Sequence, residues 1–306
     1  MRILITGGAG YVGYSLIHAL IRELPDLKEI RVYDNLSRGH YGLFFQSFIP
    51  DLLVNFRQGE LLDSRSLQKA LEGMDVVFHL AAKVTTPYSD MDSHYFEQVN
   101  HWGTAELVNM IEKSAVQCFI YLSSTAVYGR SEAPMDETAP LQPFSFYGSS
   151  KMRGEQHTER LLGQLPKAYL VRSGNVYGYN PTVRIEAVIN RFMFEAHHQG
   201  RIAVQGNGEQ VRAFVHVEKL ATVLARLLKT EVPNGVYNLA EYNFSVNEVV
   251  THIKTLYPEL ETLLSNQHLA LPSAPVVLPV GLQQWLPFPE KSFADELWAM
   301  QEAFSF

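Results

Sequence analysis

The first 175 residues alternate short apolar runs with longer segments in which apolar residues recur at helical spacing. The apolar runs predict strands at residues 3–5, 30–33, 54–56, 76–80, 119–122 and 169–171. The helically spaced segments predict helices at residues 11–24, 64–71, 100–114 and 147–162. Continuous apolar strands between helices are typical of a parallel sheet covered on both faces. We therefore predict an α/β fold built on a Rossmann-type doubly wound parallel sheet.

The second half of the chain has a weaker pattern. It predicts helices at residues 185–198 and 219–228 and a strand at residues 213–217. The proline-rich segment 269–289 has no clear period, and we expect it to be rich in loops. This half is therefore predicted to add a smaller C-terminal α/β lobe to the main sheet.

Composition narrows the functional classes. Of the 306 residues, 46% are hydrophobic and 19% are charged, which is typical of a globular protein. The net charge of −7 argues against nucleic acid as the main partner, because binding phosphates requires a basic face. Cys118 is the single cysteine, so an intrachain disulfide is excluded. We see no signal-peptide pattern and no run of 18 apolar residues, so we expect a cytoplasmic protein without a membrane span.

Three glycines span the junction from the first predicted strand into the first turn of the first predicted helix, where a dinucleotide pyrophosphate binds in such folds. Gly7 permits the tight turn, Gly10 lets phosphates approach the helix N-terminus, and Gly13 allows the helix to pack closely on the strand. Asp34 closes the second strand, where a carboxylate binds ribose hydroxyls and repels a 2′-phosphate. The pattern therefore favours NAD over NADP, although the nearby Arg38 keeps NADP as an alternative.

Tyr147 and Lys151 lie four residues apart on a predicted helix, so their side chains share one face. With Ser124 upstream, they supply a proton acceptor, a fixed cation and a hydroxyl that can donate a hydrogen bond. A free tyrosine has a pKa of about 10, and lowering it by ~3 units requires about 4 kcal/mol of stabilisation of the phenolate. We predict that the Lys151 ammonium and a cationic cofactor supply it. No Gly-x-Ser-x-Gly turn surrounds Ser124, so nucleophilic hydrolysis is not indicated.

With these motifs in this order, the sequence resembles the extended short-chain dehydrogenase/reductase family over residues 1–245. The closest resemblance is to the NAD-dependent nucleotide-sugar epimerase/dehydratase branch, typified by UDP-glucose 4-epimerase. The runs that carry the resemblance are Thr6-Gly-Gly-Ala-Gly-Tyr-Val-Gly13, Asp34-Asn-Leu-Ser-Arg-Gly39, His79-Leu-Ala-Ala82, Asn100-His-Trp-Gly-Thr104, Ser123-Ser-Thr-Ala-Val-Tyr-Gly129, Tyr147-Gly-Ser-Ser-Lys151, Arg172-Ser-Gly-Asn-Val-Tyr-Gly178 and Val211-Arg-Ala-Phe-Val-His-Val217.

The resemblance implies a site for NAD and for a nucleotide sugar, without a metal. The implied catalytic residues are Ser124, Tyr147 and Lys151. The implied cofactor-binding residues are Gly7, Gly10, Tyr11, Val12, Gly13, Asp34, Asn35, Ser37, Glu60, Leu61, Leu80, Ala81, Ala82, Lys83, Asn100, Tyr147 and Lys151. The implied substrate-binding residues are Ser124, Thr125, Asn175 and Arg212. We assign residues 1–174, with 211–240 returning to them, to a NAD-binding Rossmann domain, and residues 175–210 and 241–306 to a substrate-binding lobe.

The two residues that follow the implied catalytic hydroxyl differ between the activities of the family. Family dehydratases carry an Asp-Glu pair directly after this hydroxyl, and here the pair is replaced by Thr125 and Ala126. We therefore expect a nucleotide-sugar 4-epimerase, in which Tyr147 is the base for transient oxidation at C4 by bound NAD and reduction follows from the other face. The alternatives are a dehydratase or 4-keto-sugar reductase of the same family, and an NAD-binding regulatory protein without turnover. An acidic loop holding Glu132, Asp136 and Glu137 is either a source of an acid or solvated.

The resemblance fades toward the C-terminus, where relatives complete a clamp on the substrate diphosphate with arginine. This chain has no arginine after Arg226, so Arg184, Arg191 and Arg201 are candidate replacements or surface charges. By the same resemblance, we expect a homodimer through the helices near residues 100–114 and 147–162.

Three histidines are expected to have no part in catalysis. His79 lies on a buried strand and is predicted to be a core histidine with satisfied hydrogen bonds. His197 and His198 are predicted to be a solvated pair at a helix end, because no second group with metal-ligand spacing accompanies them.

Overall fold

The computed structural model describes residues 1–45, 53–84, 93–268 and 271–304. Within these ranges, seven parallel strands form the main sheet. They are β1 (Arg2–Thr6), β2 (Glu29–Asp34), β3 (Leu53–Gln58), β4 (Val76–His79), β5 (Cys118–Ser124), β6 (Lys167–Ser173) and β10 (Gly235–Leu239). Their order across the sheet is β3-β2-β1-β4-β5-β6-β10, and each neighbouring pair is parallel. The predicted doubly wound α/β sheet is confirmed.

Helices cover both faces of the main sheet. They are α1 (Tyr11–Glu23), α2 (Ser64–Leu71), α3 (Ser93–Phe96), a π-helical turn (Glu97–Trp102), α4 (Gly103–Ile111), α5 (Phe146–Leu162) and α7 (Val217–Arg226). Because side chains alternate along a strand, Ile3 and Ile5 pack into the core beneath α1 and α7, whereas Leu4 packs into the opposite core beneath α2 and α4. The helix predicted at residues 100–114 begins earlier, because α3 and the π-helical turn continue directly into α4.

The remaining elements form what we call the small-sheet region. They are β7 (Asn175–Tyr177), α6 (Val188–Gln199), β8 (Arg201–Gln205), β9 (Val211–His216), β11 (Tyr242–Ser245), α8 (Val246–Leu256), β12 (Glu261–Ser265) and α9 (Phe293–Phe304). In the described chain, β11, β9 and β7 form one sheet, and β12 and β8 form another. α6, α8 and α9 pack around a separate core that contains Phe192, Ile253 and Met300.

The predicted helices at residues 185–198 and 219–228 are present as α6 and α7, with ends that differ from the prediction by one to three residues. The described part of the proline-rich segment contains a short 3-10 turn (Gly281–Gln284) and isolated bridges that connect Met135 to Val276 and Arg212 to Ala274. The division of the chain into a cofactor domain and a substrate lobe stays a prediction. In the described ranges, no helix combines the length and apolar character needed to cross a membrane.

Candidate active site

The turn between β1 and α1 contains glycines for two different reasons. Gly7 has a φ of +73°, and a Cβ there would lie 2.5 Å from the backbone nitrogen of Ala81. A Cβ on Gly13 would lie 2.5 Å from the Cα of Gly8. A Cβ on Gly10 would meet only the Gly7 carbonyl oxygen among the described atoms, at 3.2 Å, so room remains before the first turn of α1. A pyrophosphate can approach the free N–H groups there, which is the fit that NAD requires.

The first turn of α1 also holds the small-sheet region in place. The buried Tyr11 hydroxyl donates to the carbonyl oxygen of Gly178 at 2.5 Å. The Asn180 amide donates to the Tyr11 carbonyl oxygen and to the Ser15 hydroxyl, both at 2.9 Å. The side chain of Tyr11 therefore fixes the segment that follows β7, whereas Val12, beside it in the same turn, is partly exposed.

Asp34 lies at the carboxyl end of β2, beside the glycine turn. Its carboxylate accepts from the backbone nitrogen of Ala9 at 3.1 Å and from that of Leu36 at 2.8 Å. Burial raises the pKa of this carboxyl, and the two backbone donors oppose that effect. The acid is therefore fixed in the position from which it can bind ribose hydroxyls.

The other residues predicted for the adenosine side form a connected rim. The Asn35 amide donates to both carboxylate oxygens of Glu60 at 3.1 Å, and its Oδ1 accepts from the backbone nitrogen of Ser37 at 2.9 Å. Leu61 is buried next to Glu60. Arg38, the cation that favoured NADP as an alternative, is paired with Glu186 at 2.8 Å.

The segment that follows β4 forms the wall beside the glycine turn. Its residues, which are partly exposed, are Leu80, Ala81, Ala82 and Lys83. Asn100, on the π-helical turn, is wholly buried behind this wall. Its Oδ1 accepts from the Lys83 backbone nitrogen at 2.8 Å, and its Nδ2 donates to the Lys83 carbonyl oxygen at 2.9 Å and to Ser150 Oγ at 3.0 Å. Asn100 therefore holds the segment that follows β4 in place, and we predict that it contributes to cofactor binding through this segment.

Ser124 and Tyr147 are brought together at the end of β5 and the start of α5. Ser145 begins α5 by accepting from the Gly148 backbone nitrogen at 3.0 Å, which places Tyr147 in the first turn of the helix. Burial raises the pKa of the Tyr147 hydroxyl, while the charge of Arg184 and a hydrogen bond with Ser124 lower it. The sequence indicated Ser124 as the partner of Tyr147, and the structure brings the two side chains close enough to interact.

Lys151 is fully buried one helical turn after Tyr147. Its ammonium donates to the Leu122 carbonyl oxygen at 2.7 Å and lies 4.5 Å from the centre of the Tyr121 ring. Burial lowers the pKa of Lys151 to about 7, and the Glu155 carboxylate opposes that effect. The groups that lower the pKa of Tyr147 in the structure are Arg184 and Ser124. The predicted effect of Lys151 on this tyrosine therefore stays a prediction for the enzyme with its cofactor bound.

The two residues after Ser124 carry no acid. Thr125 is buried, and Ala126 donates its backbone nitrogen to Ser124 Oγ at 3.2 Å, which closes a short 3-10 turn. In the acidic loop, Asp136 is exposed and accepts from the Thr138 backbone and hydroxyl, which lower the pKa of its carboxyl. An ionised, exposed turn residue of this kind is poorly suited to donate a proton.

The other two acids of this loop have separate surroundings. Glu132 is exposed. Glu137 accepts from the backbone nitrogen of Asn238 at 2.8 Å, which ties the loop to β10. The structure thus gives two of the three acids of this loop an evident structural role.

Of the residues predicted to bind substrate, Ser124 and Thr125 lie at the end of β5, and Asn175 and Arg212 lie where β7 and β9 begin. Asn175 is exposed and donates to the Ala213 carbonyl oxygen at 3.1 Å. The Arg212 guanidinium is half-buried and donates to the carbonyl oxygens of Val211, at 2.9 Å, and Pro272. These contacts hold the proline-rich segment against β9 and leave Asn175 open to solvent.

The three candidate arginines for the clamp differ in their surroundings. The positive charge of Arg184 lowers the pKa of Tyr147, on α5. Arg191 pairs with Glu195 at 3.7 Å along α6. Arg201 is exposed at the start of β8. Arg184 is therefore the candidate that the fold places near the reacting groups.

The histidines outside this site have structural surroundings. His79 is wholly buried, and its ring nitrogens hydrogen-bond the hydroxyls of Thr6 at 2.7 Å and Thr104 at 2.9 Å, which confirms a core histidine. His197 is partly buried and contacts the Tyr257 hydroxyl at 3.0 Å, so it is less solvated than expected, whereas His198 is exposed near the end of α6, as predicted. The described ranges contain no cluster of His, Cys, Asp and Glu that could hold a metal ion.

A buried ion pair next to the predicted catalytic residues was not identified from the sequence. Glu155 on α5 accepts from the Arg172 guanidinium at 2.8 Å and from the Ser123 hydroxyl at 2.5 Å. Its position four residues after Lys151 could have placed it on the catalytic face of the helix. No local sequence pattern identifies Arg172, its partner on β6, because the contact depends on which strands become neighbours in the sheet.

Comparison with known proteins gives a family match and two kinds of relatives. Residues 3–240 match the model of the NAD dependent epimerase/dehydratase family. A mouse protein named dTDP-D-glucose 4,6-dehydratase is 31% identical over 274 residues, which are 85% of this chain and 75% of that protein. A putative UDP-glucose 4-epimerase from Methanocaldococcus jannaschii is 31% identical over 260 residues, which are 82% of this chain and 81% of that protein.

The fold is also shared with solved structures. The crystal structure of UDP-glucuronic acid 4-epimerase from Bacillus cereus, in complex with UDP-glucuronic acid and NAD, superposes with a TM-score of 0.85. The match covers 99% of this chain and 98% of that chain at 22% sequence identity. At this identity, the likeness concerns the fold alone.

Proposed function

The chain belongs to the NAD-dependent epimerase/dehydratase family, and we propose that it is an epimerase that inverts C4 of a nucleotide sugar. Relatives with similar identity are named as dehydratases and as epimerases, so identity does not separate the two reactions. The observation that carries the proposal is the end of β5. There Ser124 lies close enough to Tyr147 to lower the pKa of its hydroxyl, and the next two residues, Thr125 and Ala126, have no carboxylate.

In the proposed reaction, Tyr147 Oη accepts the proton of the sugar 4-hydroxyl while Ser124 holds that hydroxyl in place. When bound, NAD⁺ supplies reversible hydride acceptance at C4. After the 4-keto sugar turns its other face, Tyr147 returns the proton to the oxygen at C4 and Ser124 again orients that oxygen. The Tyr147 phenol has a raised pKa in the structure, so its deprotonation depends on cationic groups nearby.

The missing acids favour epimerisation over loss of water. A 4,6-dehydratase must remove a proton at C5 and protonate the departing hydroxyl at C6, which requires an acid and a base beside the catalytic serine. Thr125 is buried and Ala126 cannot transfer a proton. Asp136 is an exposed turn residue, and Glu137 is tied to β10.

We propose that the nucleotide sugar binds between the catalytic helix and the small-sheet region. Asn175 is exposed at the start of β7, and Arg184 and Arg212 are partly buried. Guanidinium groups suit a diphosphate because their planar donors can form two parallel hydrogen bonds. We propose that Arg184 takes the place of the C-terminal arginine that the resemblance leads us to expect and binds the diphosphate together with Arg212.

We propose that the chain pairs with a second copy through α4 and α5. Large aromatic side chains are exposed beside these helices: Tyr95, Trp102 and Phe146 expose 47%, 56% and 49% of their surface. Covering such residues is favourable in a dimer. Light scattering should give twice the chain mass, and Trp102→Glu should shift it toward the mass of one chain. A parent protein of single-chain mass would contradict this pairing.

The reaction itself is tested with a panel of UDP-, dTDP-, CDP- and GDP-sugars that carry deuterium at C4, with products followed by NMR and mass spectrometry. An epimerase gives a C4 epimer of unchanged mass, with the deuterium retained at C4 and no net change in NAD. A product lighter by one water would assign a dehydratase. Stoichiometric conversion of added NAD⁺ to NADH, with the deuterium leaving C4 and a 4-keto sugar formed, would assign a reductase running in reverse, and NAD binding without any product would assign the regulatory alternative.

A further inference from the structure

The buried carboxylate of Glu155 has no part in the mechanism described so far. It lies one helical turn after Lys151 on α5 and has no exposed surface. The Arg172 guanidinium contacts both of its oxygens, with Nη2 at 2.8 Å and Nε at 3.1 and 3.2 Å. The Ser123 hydroxyl donates to the same carboxylate at 2.5 Å. A buried ion pair rarely adds stability over apolar side chains, so its position suggests another use.

The partners of this carboxylate lead directly to the catalytic groups. Ser123 immediately precedes Ser124 on β5, so its hydrogen bond joins the end of the catalytic strand to the catalytic helix. Arg172 extends the network, because its Nη1 donates to the Tyr128 hydroxyl at 3.0 Å and to the Glu137 carbonyl oxygen at 3.2 Å. Glu155 is thus the point at which α5, β5 and β6 are connected.

Among the described groups around the Lys151 ammonium, Glu155 is the one with a negative charge that balances it. On β5 it meets the Leu122 carbonyl oxygen and the Tyr121 ring. On β4 the nearby group is His79, which is neutral because burial lowers its pKa to about 3. On its own helix, Glu155 is the carboxylate, among the described residues, whose charge favours the ammonium.

We propose that Glu155 is a positioning residue that keeps Lys151 cationic and fixes α5 to the end of β5 during turnover. This inference rests on the proposed function, in which Lys151 must be charged while Tyr147 gives up its proton. Arg172 limits the effect by neutralising part of the Glu155 charge. The two residues of the ion pair should therefore act on Lys151 in opposite directions, which a purely structural pair would not do.

The sign follows from the charges. A lysine is charged below its pKa, so removing a nearby negative charge moves the titration of Lys151 to lower pH. Glu155→Gln should lower the midpoint by about one pH unit, because Glu155 lies one helical turn from Lys151 on α5, both side chains are buried, and the negative charge favours the ammonium. Arg172→Gln leaves the carboxylate without its cation and should raise the midpoint. Glu155→Asp keeps the charge and should stay near the parent value of about 7.

The test measures the charge of Lys151 directly. Protein labelled with ¹⁵N at the lysine side chains is titrated by NMR in the parent, Glu155→Gln, Glu155→Asp and Arg172→Gln, and the Lys151 signal is assigned by its absence in Lys151→Met. Opposite shifts in the two neutral variants support the proposal. Equal midpoints in all folded variants, or shifts of the same sign, overturn it. If Glu155→Gln does not fold, the other two variants still test the proposal. It requires a higher Lys151 midpoint in Arg172→Gln and a midpoint near the parent value in Glu155→Asp.

Turnover is a second readout. If the panel identifies a substrate, the alkaline limb of kcat should move to lower pH in Glu155→Gln while KM changes less than about twofold, and Glu155→Asp should restore the parent profile. An unchanged profile with a uniform loss of kcat would overturn the role of Glu155. The NMR titration requires no substrate, so it remains valid if the proposed function is wrong. Failure of the proposed function can therefore be distinguished from failure of this inference.

Discussion

The predicted cofactor side and the predicted substrate side of the site are built in different ways. On the main sheet, backbone atoms form the site: Gly7 and Gly13 leave no room for a Cβ, and two backbone N–H groups hold Asp34. On the small-sheet region, side chains from irregular segments form it, as when Arg212 reaches the carbonyl oxygen of Pro272. A site made by backbone close to strand ends is fixed by the fold, whereas a side-chain site changes with each loop.

The largest effect is expected where the two sides meet, at Tyr147. Tyr147→Phe removes the proton acceptor and should lower turnover at least ~100-fold, because general base catalysis contributes 10²–10⁴-fold. NAD binding, measured by fluorescence titration, should change little, since the glycine turn is untouched. Tyr257→Phe is the matched control, because it removes a hydroxyl that contacts His197. Turnover near the parent value in Tyr147→Phe would contradict the mechanism.

This comparison also explains what the sequence could predict. Local patterns reveal the spacing of Tyr147 and Lys151, the three glycines and Asp34. The structure places all of them near the carboxyl ends of neighbouring strands of the main sheet. The strands β7, β8, β11 and β12 are only three to five residues long, too short for a period to be recognised. The pairing of Glu155 with Arg172 depends on which strands become neighbours, so local sequence carries no signal for it.

The cofactor side is tested by separating the two reasons for its glycines. Gly13→Ala should lower the free energy of unfolding by about 1–3 kcal/mol, because its Cβ would overlap the Gly8 backbone. Gly10→Ala should leave stability nearly unchanged but weaken NAD binding by about tenfold, or ~1.4 kcal/mol, because its Cβ points into the space for the pyrophosphate. Chemical denaturation and NAD titration measure both. Parent-like NAD affinity in Gly10→Ala would place the pyrophosphate elsewhere.

The substrate side is tested through its arginines. Arg212→Lys keeps the charge but loses the planar donors, and it should raise KM for the nucleotide sugar about fivefold, or ~1 kcal/mol, without changing NAD affinity. Arg201→Lys, at an exposed position on β8, is the control and should leave KM unchanged. An unchanged KM in Arg212→Lys together with a raised KM in Arg184→Lys would assign the diphosphate to Arg184 alone.

The smallest effect concerns stability and involves a histidine in each region. Burial lowers the pKa of His79, on the main sheet, and of His216, on β9, to about 3. In the unfolded chain a histidine titrates near 6.5, so below that pH the unfolded state binds a proton that the native state does not. Stability contributed by each neutral histidine is therefore complete above about pH 6.5 and is lost as the pH falls, by roughly 1 kcal/mol or less between pH 7.5 and 6.0.

Denaturation at several pH values measures this loss. His79→Gln should reduce the slope of unfolding free energy against pH by about one proton below pH 6, whereas His268→Gln, at an exposed position, should not. The slope is the informative quantity, because His79→Gln also changes the hydrogen bonds with Thr6 and Thr104 and lowers stability at every pH. Parallel curves for the parent and His79→Gln would mean that His79 takes up its proton within the folded core, and the main sheet would then be more tolerant of buried charge than its packing indicates.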